Sequence, residues 1–234
     1  MKMPLASTLA VLTLTLPAAA HASPPLAPIM APVVAPISYD MHNGHGQASG
    51  GSVNYWDLAY SGSGSTNTDD ALLSGGLGDL TDGVVSPSNW IDVENAAGTG
   101  PYVGWRQGVL PGSVPITFNF GAAVSIDTIS IHADDSGGTG GVSLPSAVLF
   151  TWEGGGSAGF PVVDPDPGTD PSWLVYSGLG ISGTSWVGVA LFYGNEWVFI
   201  DEVTFNGAPV PEPGSRLLLA AGMGVLGWLA LRRR

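Results

Sequence analysis

The sequence predicts an all-β fold, an antiparallel β-sandwich. Short runs of β-branched and aromatic residues recur through the middle of the 234-residue chain, separated by clusters of Gly, Ser, Asn and Asp. No stretch of this body shows the period of an amphipathic helix of three turns. In PITFNF, Ile116, Phe118 and Phe120 share one face and Thr117 and Asn119 share the other, as in a strand with one buried face. Many short strands separated by turns indicate a sandwich or a barrel.

Six runs are the clearest strand candidates, and the last of them has an irregular apolar pattern. They are VNYWDLAY (53–60), PITFNF (115–120), SIDTISIH (125–132), SAVLFTW (146–152), WVGVALFY (186–193) and WVFIDEVTF (197–205). In the last run, strict alternation would leave Ile200 on the outer face. A bulge near Asp201 and Glu202 would instead turn Ile200, Val203 and Phe205 inward and re-aim the Glu202 carboxylate. We therefore expect a bulge there and a functional role for Glu202.

The N-terminus has the pattern of an export signal over residues 1–22. Lys2 provides the positive charge, Leu5 to Leu16 the apolar run, and Ala20-His21-Ala22 the small-residue cleavage site, with Ala20 and Ala22 as its key residues. Residues 23–37 form a Pro/Ala-rich segment that predicts an extended linker. We expect an exported protein whose folded domain covers residues 38–207.

The composition restricts the partners of this domain. The chain has no cysteine, so packing or a metal must stabilise the core without disulfides. Eighteen of the nineteen acidic residues lie between residues 23 and 210, but only one of the six lysines and arginines, Arg106, so this part has a net charge of −17. Such a charge argues against nucleic acid and anionic lipid, and it favours cations and neutral sugars.

The segment LSGGLGDLTDG, residues 73–83, is the strongest candidate for a cation site. Its glycine-rich turns bracket Asp79 and Asp82. Calcium takes six to eight oxygens from carboxylates and from carbonyls of tightly turned backbone, and this loop offers both. The same residues also fit a solvated turn in which the two aspartates accept hydrogen bonds from backbone amides. Locally, both interpretations stay open.

Three motifs in order resemble one family. LTDG followed by a Trp, then PITFNFGAAVSIDTISIHADD, then FIDEVTF are similar to the discoidin-like (coagulation-factor C-type, galactose-binding-like) jelly-roll sandwich, over roughly residues 70–206. The resemblance implies a structural calcium ion between the LTDG loop and the Glu of the last strand. The implied ligands are Asp82, Glu202 and backbone oxygens of residues 77–84, with Asp79 as a further candidate.

The segment GPYVGWRQG contains a candidate sugar site. Trp105 would stack on a sugar ring and Arg106 would bind neighbouring hydroxyls with its guanidinium fork. The alternative places Trp105 in the core and pairs Arg106 with one of the many acids. This chain also lacks the arginine that many discoidin-like domains have in the penultimate strand, here WVGVALFY.

The remaining motifs lead to no assignment. HNGHG (42–46) has two histidines without a third ligand, so we expect a flexible surface loop there. DPDPGTD (164–170) begins like a calcium loop, but its prolines and the missing final Glu argue against one. GGSAG (155–159) has neither the strand nor the helix that a nucleophile elbow needs. With no catalytic constellation, we expect a protein that is not an enzyme.

The last residues are charge-free from Leu217 to Leu231 and then end in three arginines. As a helix this segment would span about 22 Å, less than the roughly 30 Å of a bilayer core. The string resembles the PEP-CTERM sorting signal of Gram-negative bacteria, with a motif linker at 208–215 and a short membrane helix at 216–234. Its characteristic residues are Val210, Pro211, Glu212, Pro213 and Gly214, followed by Arg232, Arg233 and Arg234.

This second resemblance implies processing by an exosortase-type transpeptidase, a transient inner-membrane anchor, and delivery to the cell surface, in association with exopolysaccharide and biofilm matrix. Together the two resemblances suggest a non-enzymatic surface protein with a calcium-stabilised sandwich, acting in matrix association or adhesion. One alternative is a lectin-like module that binds a surface glycan. A secreted polysaccharide hydrolase is the other.

Overall fold

Nine antiparallel β-strands build the part of the chain that the computed structural model describes, residues 33–210. The strands are β1 (Ser38–His42), β2 (Leu72–Gly76), β3 (Val103–Arg106), β4 (Ser113–Ala133), β5 (Ala147–Trp152), β6 (Gly156–Pro161), β7 (Ser172–Tyr176), β8 (Ile181–Phe192) and β9 (Trp197–Pro209). One helical turn, α1 (Trp90–Val93), and two 3₁₀ turns, Gln47–Ser49 and Thr139–Gly141, complete the elements. The predicted all-β antiparallel class is confirmed.

Strand β4, 21 residues long, belongs to both layers of the sandwich. Its first half pairs with β1 and β8 in a layer ordered β2-β1-β4-β8-β5-β6. Its second half pairs with β7 and β9, and β3 lies on the far side of β9. The register shifts between Asn119 and Val124, where Gly121 has a φ of 70°. The predicted strands at 115–120 and 125–132 are therefore two halves of one bent strand.

The core lies between these two layers. Phe118 and Phe120 of β4 meet Phe205 of β9 with ring centroids 5.0 and 5.1 Å apart. At the other side, the Phe150 and Tyr176 rings are 5.1 Å apart. The inner face predicted for PITFNF is confirmed, because its Ile and Phe side chains are buried and its Thr and Asn side chains are not fully so.

The bulge predicted in β9 is present. Ala133 pairs with Ile200 and the preceding His132 pairs with Glu202, so Asp201 is the extra residue. Ile200, like Val203 and Phe205, is buried as expected. Asp201 is also fully buried, and hydrogen bonds within the protein compensate its carboxylate for the loss of water.

The prediction of a strand at 53–60 is wrong. Within that run only Asn54 forms a β-bridge, with Asn95, and the rest belongs to the long connection between β1 and β2. Its apolar alternation reflects side chains such as Tyr55 and Tyr60 that pack inward from a loop. Five strands, β1, β2, β3, β6 and β7, were not predicted because each has only four to six residues, several with Gly or Ser.

The predicted signal peptide, most of the predicted linker and the sorting tail from Pro211 onward lie outside the described residues. Among residues 33–210, no helix is long and apolar enough to span a membrane. At the C-terminal end of the described part, the backbone N–H of Val210 donates to the carbonyl of Ala123 at 2.9 Å. The fold therefore extends to the residue before Pro211.

Candidate functional site

The LTDG loop, Leu80 to Gly83, lies against the bulge of β9. The backbone N–H of Val203 donates to the carbonyl of Leu80 at 2.9 Å, and the N–H of Gly83 donates to Glu202 Oε2 at 2.9 Å. Asp82, the residue before Gly83, is exposed; its Oδ1 accepts from the backbone N–H of Val84 at 2.8 Å, and its charge acts on Glu202. The structure brings these two predicted calcium ligands together from positions 120 residues apart in the sequence.

Carboxylates gather around this loop. Burial raises the pKa of Glu202 to about 7; a backbone hydrogen bond opposes the rise, and the charges of Asp82 and Asp201 add to it. Burial also raises the pKa of Asp79 to about 8, with the charges of Asp57 and Asp82 adding to the effect. Like charges at close range hold protons or attract a cation.

Asp79, the third predicted ligand, is turned towards Asp57. The backbone N–H of Asp79 donates to Asp57 Oδ1 at 3.1 Å, and Tyr39 OH donates to Asp57 Oδ2. Asp57 is fully buried, and burial raises its pKa. Sequence reasoning missed Asp57 because it lies in the run taken for a strand.

The oxygen atoms around the loop come from only a few side chains. Within residues 33–210, no three His, Asp or Glu side chains are grouped so that they could hold a metal ion. Asp82 and Glu202 would provide two ligands, and Thr81 Oγ1 is buried without a hydrogen-bond partner in the described part of the chain. A cavity of about 310 Å³ opens beside Asp79 and Asp82. These donors are all oxygens, as a hard cation requires.

Trp105 and Arg106 do not form the predicted sugar site. Trp105 is fully buried and its Nε1 donates to the carbonyl of His42 at 2.8 Å. The guanidinium of Arg106 is bound to Glu196, at 2.9 Å from Nε, and to the carbonyl of Ser49. The prediction is wrong because strand β3 turns Trp105 into the core, as the alternative had it.

A second polar cluster lies beside Arg106, and we name it the His45 pocket. Its members are His42, His45, Asp69, Asp70 and Tyr193. His42 Nδ1 lies 2.9 Å from Asp70 Oδ1, and His45 Nε2 lies 3.9 Å from the same oxygen. The side chains of His42 and Asp70 are 32% and 41% exposed, whereas that of His45 is inaccessible. His42 and Asp70 thus form the half-exposed rim of this cluster, and His45 is buried.

The tautomer of His45 is determined by the backbone of Arg106. The N–H of Arg106 donates to His45 Nδ1 at 2.8 Å, so Nδ1 is an acceptor and the proton of the neutral imidazole is on Nε2. Burial lowers the pKa of His45, although the charges of Asp70 and Asp69 oppose this. His45 is therefore a neutral hydrogen-bond donor, and its Nε2 has no free lone pair for a metal.

Three polar atoms of the pocket lack partners. His45 Nε2, Asp69 Oδ2 and Tyr193 OH are buried and form no hydrogen bond with any described residue. Burial raises the pKa of Tyr193 to about 12, and the charge of Asp70 contributes. A buried donor, acceptor and hydroxyl without partners are groups that an ordered water or another polar molecule would satisfy.

The prediction of a flexible surface loop at HNGHG is wrong. A Cβ at Gly44 would lie 1.8 Å from the carbonyl oxygen of Tyr55, so the loop is tightly packed there. The partners Asp69 and Asp70 come from a turn more than twenty residues later, and no sequence spacing links them to His45. The one structural signal is Asp70 itself, the only residue other than glycine with positive φ, 61°, in the described part of the chain.

Comparison with known families agrees with this architecture. The model for the DS-like domain of discoidin domain-containing receptor 1/2 matches residues 36–207. The chain belongs to this family. The PEP-CTERM protein-sorting motif matches residues 209–234, so the DS-like domain is followed directly by a sorting signal of exported proteins. The predicted resemblances are confirmed, and the sorting residues from Pro211 onward lie outside the described residues.

Solved structures give more distant likenesses. The F5/8 type C domain of a Bacteroides fragilis protein is 12% identical, with 78% of this chain and 100% of that one covered and a TM-score of 0.45. The lectin domain of lectinolysin, complexed with Lewis B antigen, is 12% identical (53% and 78% covered, TM-score 0.35). The family 32 carbohydrate-binding module of C. perfringens NanJ, in complex with galactose, is 7% identical (44% and 74% covered, TM-score 0.33). None of the curated proteins matches the chain.

Proposed function

We propose that this DS-like domain is an exported, non-enzymatic, lectin-like module that binds a neutral glycan in the His45 pocket and acts in matrix association or adhesion. The observation that carries the proposal is the set of three buried, unpaired polar atoms behind a half-exposed rim. Two of the solved structures named above hold galactose or Lewis B antigen, and this supports a glycan as the class of ligand.

The charges of the pocket favour a neutral sugar. Asp69 and Asp70 are its carboxylates, and the one arginine nearby, Arg106, is engaged by Glu196 and Ser49. Carboxylates accept hydrogen bonds from sugar hydroxyls, whereas an acidic sugar would be repelled. His45 donates a hydrogen bond to a ring or hydroxyl oxygen.

The position of the pocket suits a surface protein. Arg106, whose backbone orients His45, pairs with Trp197 at the start of β9. The sorting motif begins at residue 209, at the other end of the same strand. Thirteen residues of extended strand span roughly 40 Å, so the pocket lies far from the point of attachment.

Calcium is the proposed structural ion of the LTDG loop. Asp82, Glu202, Thr81 Oγ1 and nearby backbone carbonyls would hold it, and the ion would offset the like charges gathered there. It would tie the loop to β9 and stabilise the fold. For sorting, we propose exosortase-type processing with a transient inner-membrane stage, followed by delivery to the cell surface and its exopolysaccharide.

Glycan binding is tested with Tyr193→Phe, measured by calorimetry against a panel of neutral hexoses and their oligomers. The hydroxyl of Tyr193 has no partner within residues 33–210, so its removal should weaken binding severalfold without lowering stability. Tyr176→Phe is the matched control, because it too removes a hydroxyl without a partner among the described residues, but one beside Phe150 and outside the His45 pocket. Equal affinity in both variants would contradict the assignment of the pocket, and absence of hexose binding would contradict the lectin.

Calcium binding is tested by thermal unfolding with calcium or with EDTA. Calcium at a hundredfold excess over Kd should raise the free energy of unfolding by about 2.7 kcal/mol. Glu202→Gln should abolish this gain, whereas Glu153→Gln, which changes an exposed glutamate in the turn between β5 and β6, should keep it. A calcium effect that persists in Glu202→Gln would place the ion elsewhere. No calcium effect in the parent protein would contradict the proposal of a structural calcium ion.

A further inference from the structure

A groove of about 390 Å³ follows β7 and belongs to neither cluster described above. It is lined by Pro161, Val163 and Pro165 on one side and by Trp173, Leu174, Val175 and Tyr176 on the other. Among the strands of residues 33–210, β7 pairs with β4 alone, so no described strand covers its other edge along the groove. Trp173, Val175 and Val163 are 36%, 58% and 80% exposed. Few soluble domains leave such apolar side chains together at an edge without a use for them.

The indole of Trp173 is held in place from beneath. The ring of His132, in the neighbouring strand, lies 5.0 Å away, centroid to centroid. His132 is fixed in turn by Asp201 Oδ1, 2.6 Å from its Nδ1. Trp173 is therefore a positioned aromatic surface, which binds a flat ligand with little loss of side-chain entropy.

The rim of the groove is acidic. Asp164 and Asp166 alternate with the lining residues Val163 and Pro165, and Asp170 lies further along the same loop; all three carboxylates are exposed. Among residues 33–210 the one lysine or arginine, Arg106, is bound to Glu196. A positively charged ligand gains most at this rim, because three exposed carboxylates attract it without a neighbouring cation, whereas an anionic polymer would be repelled.

We propose that this groove binds a cationic amino-sugar polymer, a polysaccharide with free amino groups. The apolar faces of its sugar rings pack on Trp173 and Val175, and its ammonium groups meet the carboxylates of the rim. An ammonium group over the indole face adds a cation–π contact. The strand has five residues, roughly 16 Å, so the groove accommodates several consecutive sugar units.

This site is independent of the proposed function, which concerns a neutral sugar in another place. The domain would then have two glycan-binding faces, one for terminal neutral sugars and one for a charged polymer. A second copy of this chain is a poorer occupant, because it would bring the same carboxylates face to face across the interface.

The test measures binding of a glucosamine hexamer to the full chain in detergent at slightly acidic pH, with the N-acetylglucosamine hexamer and hexalysine as comparison ligands. The glucosamine hexamer should bind tightest, and added salt should weaken it. Trp173→Ala should weaken it roughly fivefold. The double variant D164N/D166N should weaken it and reduce the salt dependence, whereas D92N/D127N, which removes the same charge elsewhere on the surface, should leave both nearly unchanged.

Each other outcome overturns the proposal. If the N-acetylglucosamine hexamer bound as tightly as the glucosamine hexamer, the amino groups would not contribute to binding. If hexalysine bound as tightly, charge alone would explain the affinity and the sugar rings would not be recognised. Self-association that Trp173→Ala abolishes would identify a second copy as the occupant. Trp173→Phe separates folding from binding, because it keeps an aromatic face and should retain most of the affinity. Hexose binding in the His45 pocket is scored with other ligands and other variants, so each proposal fails separately.

Discussion

Asp69 is a half-buried carboxylate and Glu202 a buried one, and their surroundings differ. Burial alone would raise the pKa of Asp69, yet hydrogen bonds from Ser49, Trp56 and Gly46 outweigh it and the pKa falls. At Glu202 burial prevails and the pKa rises to about 7. In the His45 pocket hydrogen bonds stabilise the Asp69 carboxylate, and three buried polar atoms have no partner among the described residues, which suits a neutral ligand. At the LTDG loop charge is uncompensated, which suits a cation.

The largest expected change in stability tests the position of Trp105 in the core. Trp105→Ala should lower the free energy of unfolding by about 3–5 kcal/mol, because the side chain is fully buried and its removal leaves a cavity. Chemical denaturation measures the change. Trp173→Ala, at an exposed position, should stay within about 1 kcal/mol of the parent. A Trp105→Ala protein of nearly unchanged stability would contradict the placement of this residue in the core.

Two Asp-to-Asn changes compare the clusters directly. Asp201→Asn should destabilise by about 1–3 kcal/mol, because Asp201 accepts from the backbone N–H of Ser86 and faces His132 Nδ1, each at 2.6 Å. Asp69→Asn should have a smaller effect, since one of its two oxygens has no partner among the described residues to lose. Urea unfolding of both variants gives the ranking, and the reverse order would contradict the comparison.

Sequence reasoning succeeded where a local pattern determines the structure. The alternation in PITFNF predicted its buried face, and the misplaced Ile200 predicted the bulge, because each depends on neighbours within a few residues. The pairing of Asp82 with Glu202 came from the family resemblance. The His45 pocket could not be predicted, since Asp69 and Asp70 reach His45 only through the packing of a long connection. Trp105 was ambiguous because a strand of four residues shows too little alternation to orient it.

The next expected effect is a dependence of the fold's stability on pH, caused by Glu94. Glu94 Oε1 accepts from the N–H of Tyr102 at 2.9 Å, and Oε2 is buried without a partner in the described region. Burial raises its pKa from 4.5 to about 8, with the charges of Asp134 and Asp201 adding to the rise. A raised pKa means that the folded state keeps a proton which the unfolded state releases. Its contribution to stability is therefore complete below 4.5 and is lost as the pH rises through about 8.

The measurement is the melting temperature in EDTA as a function of pH. The parent should lose stability as the pH rises across this window, and Glu94→Gln should lose less, because an amide does not titrate. His45 acts in the opposite sense: burial lowers its pKa, so its contribution is present above 6.5 and is lost as the pH falls through the lowered value. If the melting temperature of Glu94→Gln fell with pH as steeply as that of the parent, Glu94 would not be the source of the pH dependence.

The smallest expected effect on stability is at Asp70, in the rim of the pocket. Its φ of 61° is a conformation that glycine adopts freely and alanine adopts only with strain. Asp70→Ala should therefore be about 1–2 kcal/mol less stable than Asp70→Gly, although both lose the same carboxylate. Asp70→Gly itself should stay within about 1 kcal/mol of the parent, because relief of backbone strain offsets the loss of the exposed pair with His42. Hexose affinity should fall equally in both variants, since it depends on the carboxylate and not on the backbone. Equal stability of the two would mean that residue 70 does not hold the left-handed conformation, and unequal affinity would mean that the backbone, not the carboxylate, shapes the rim.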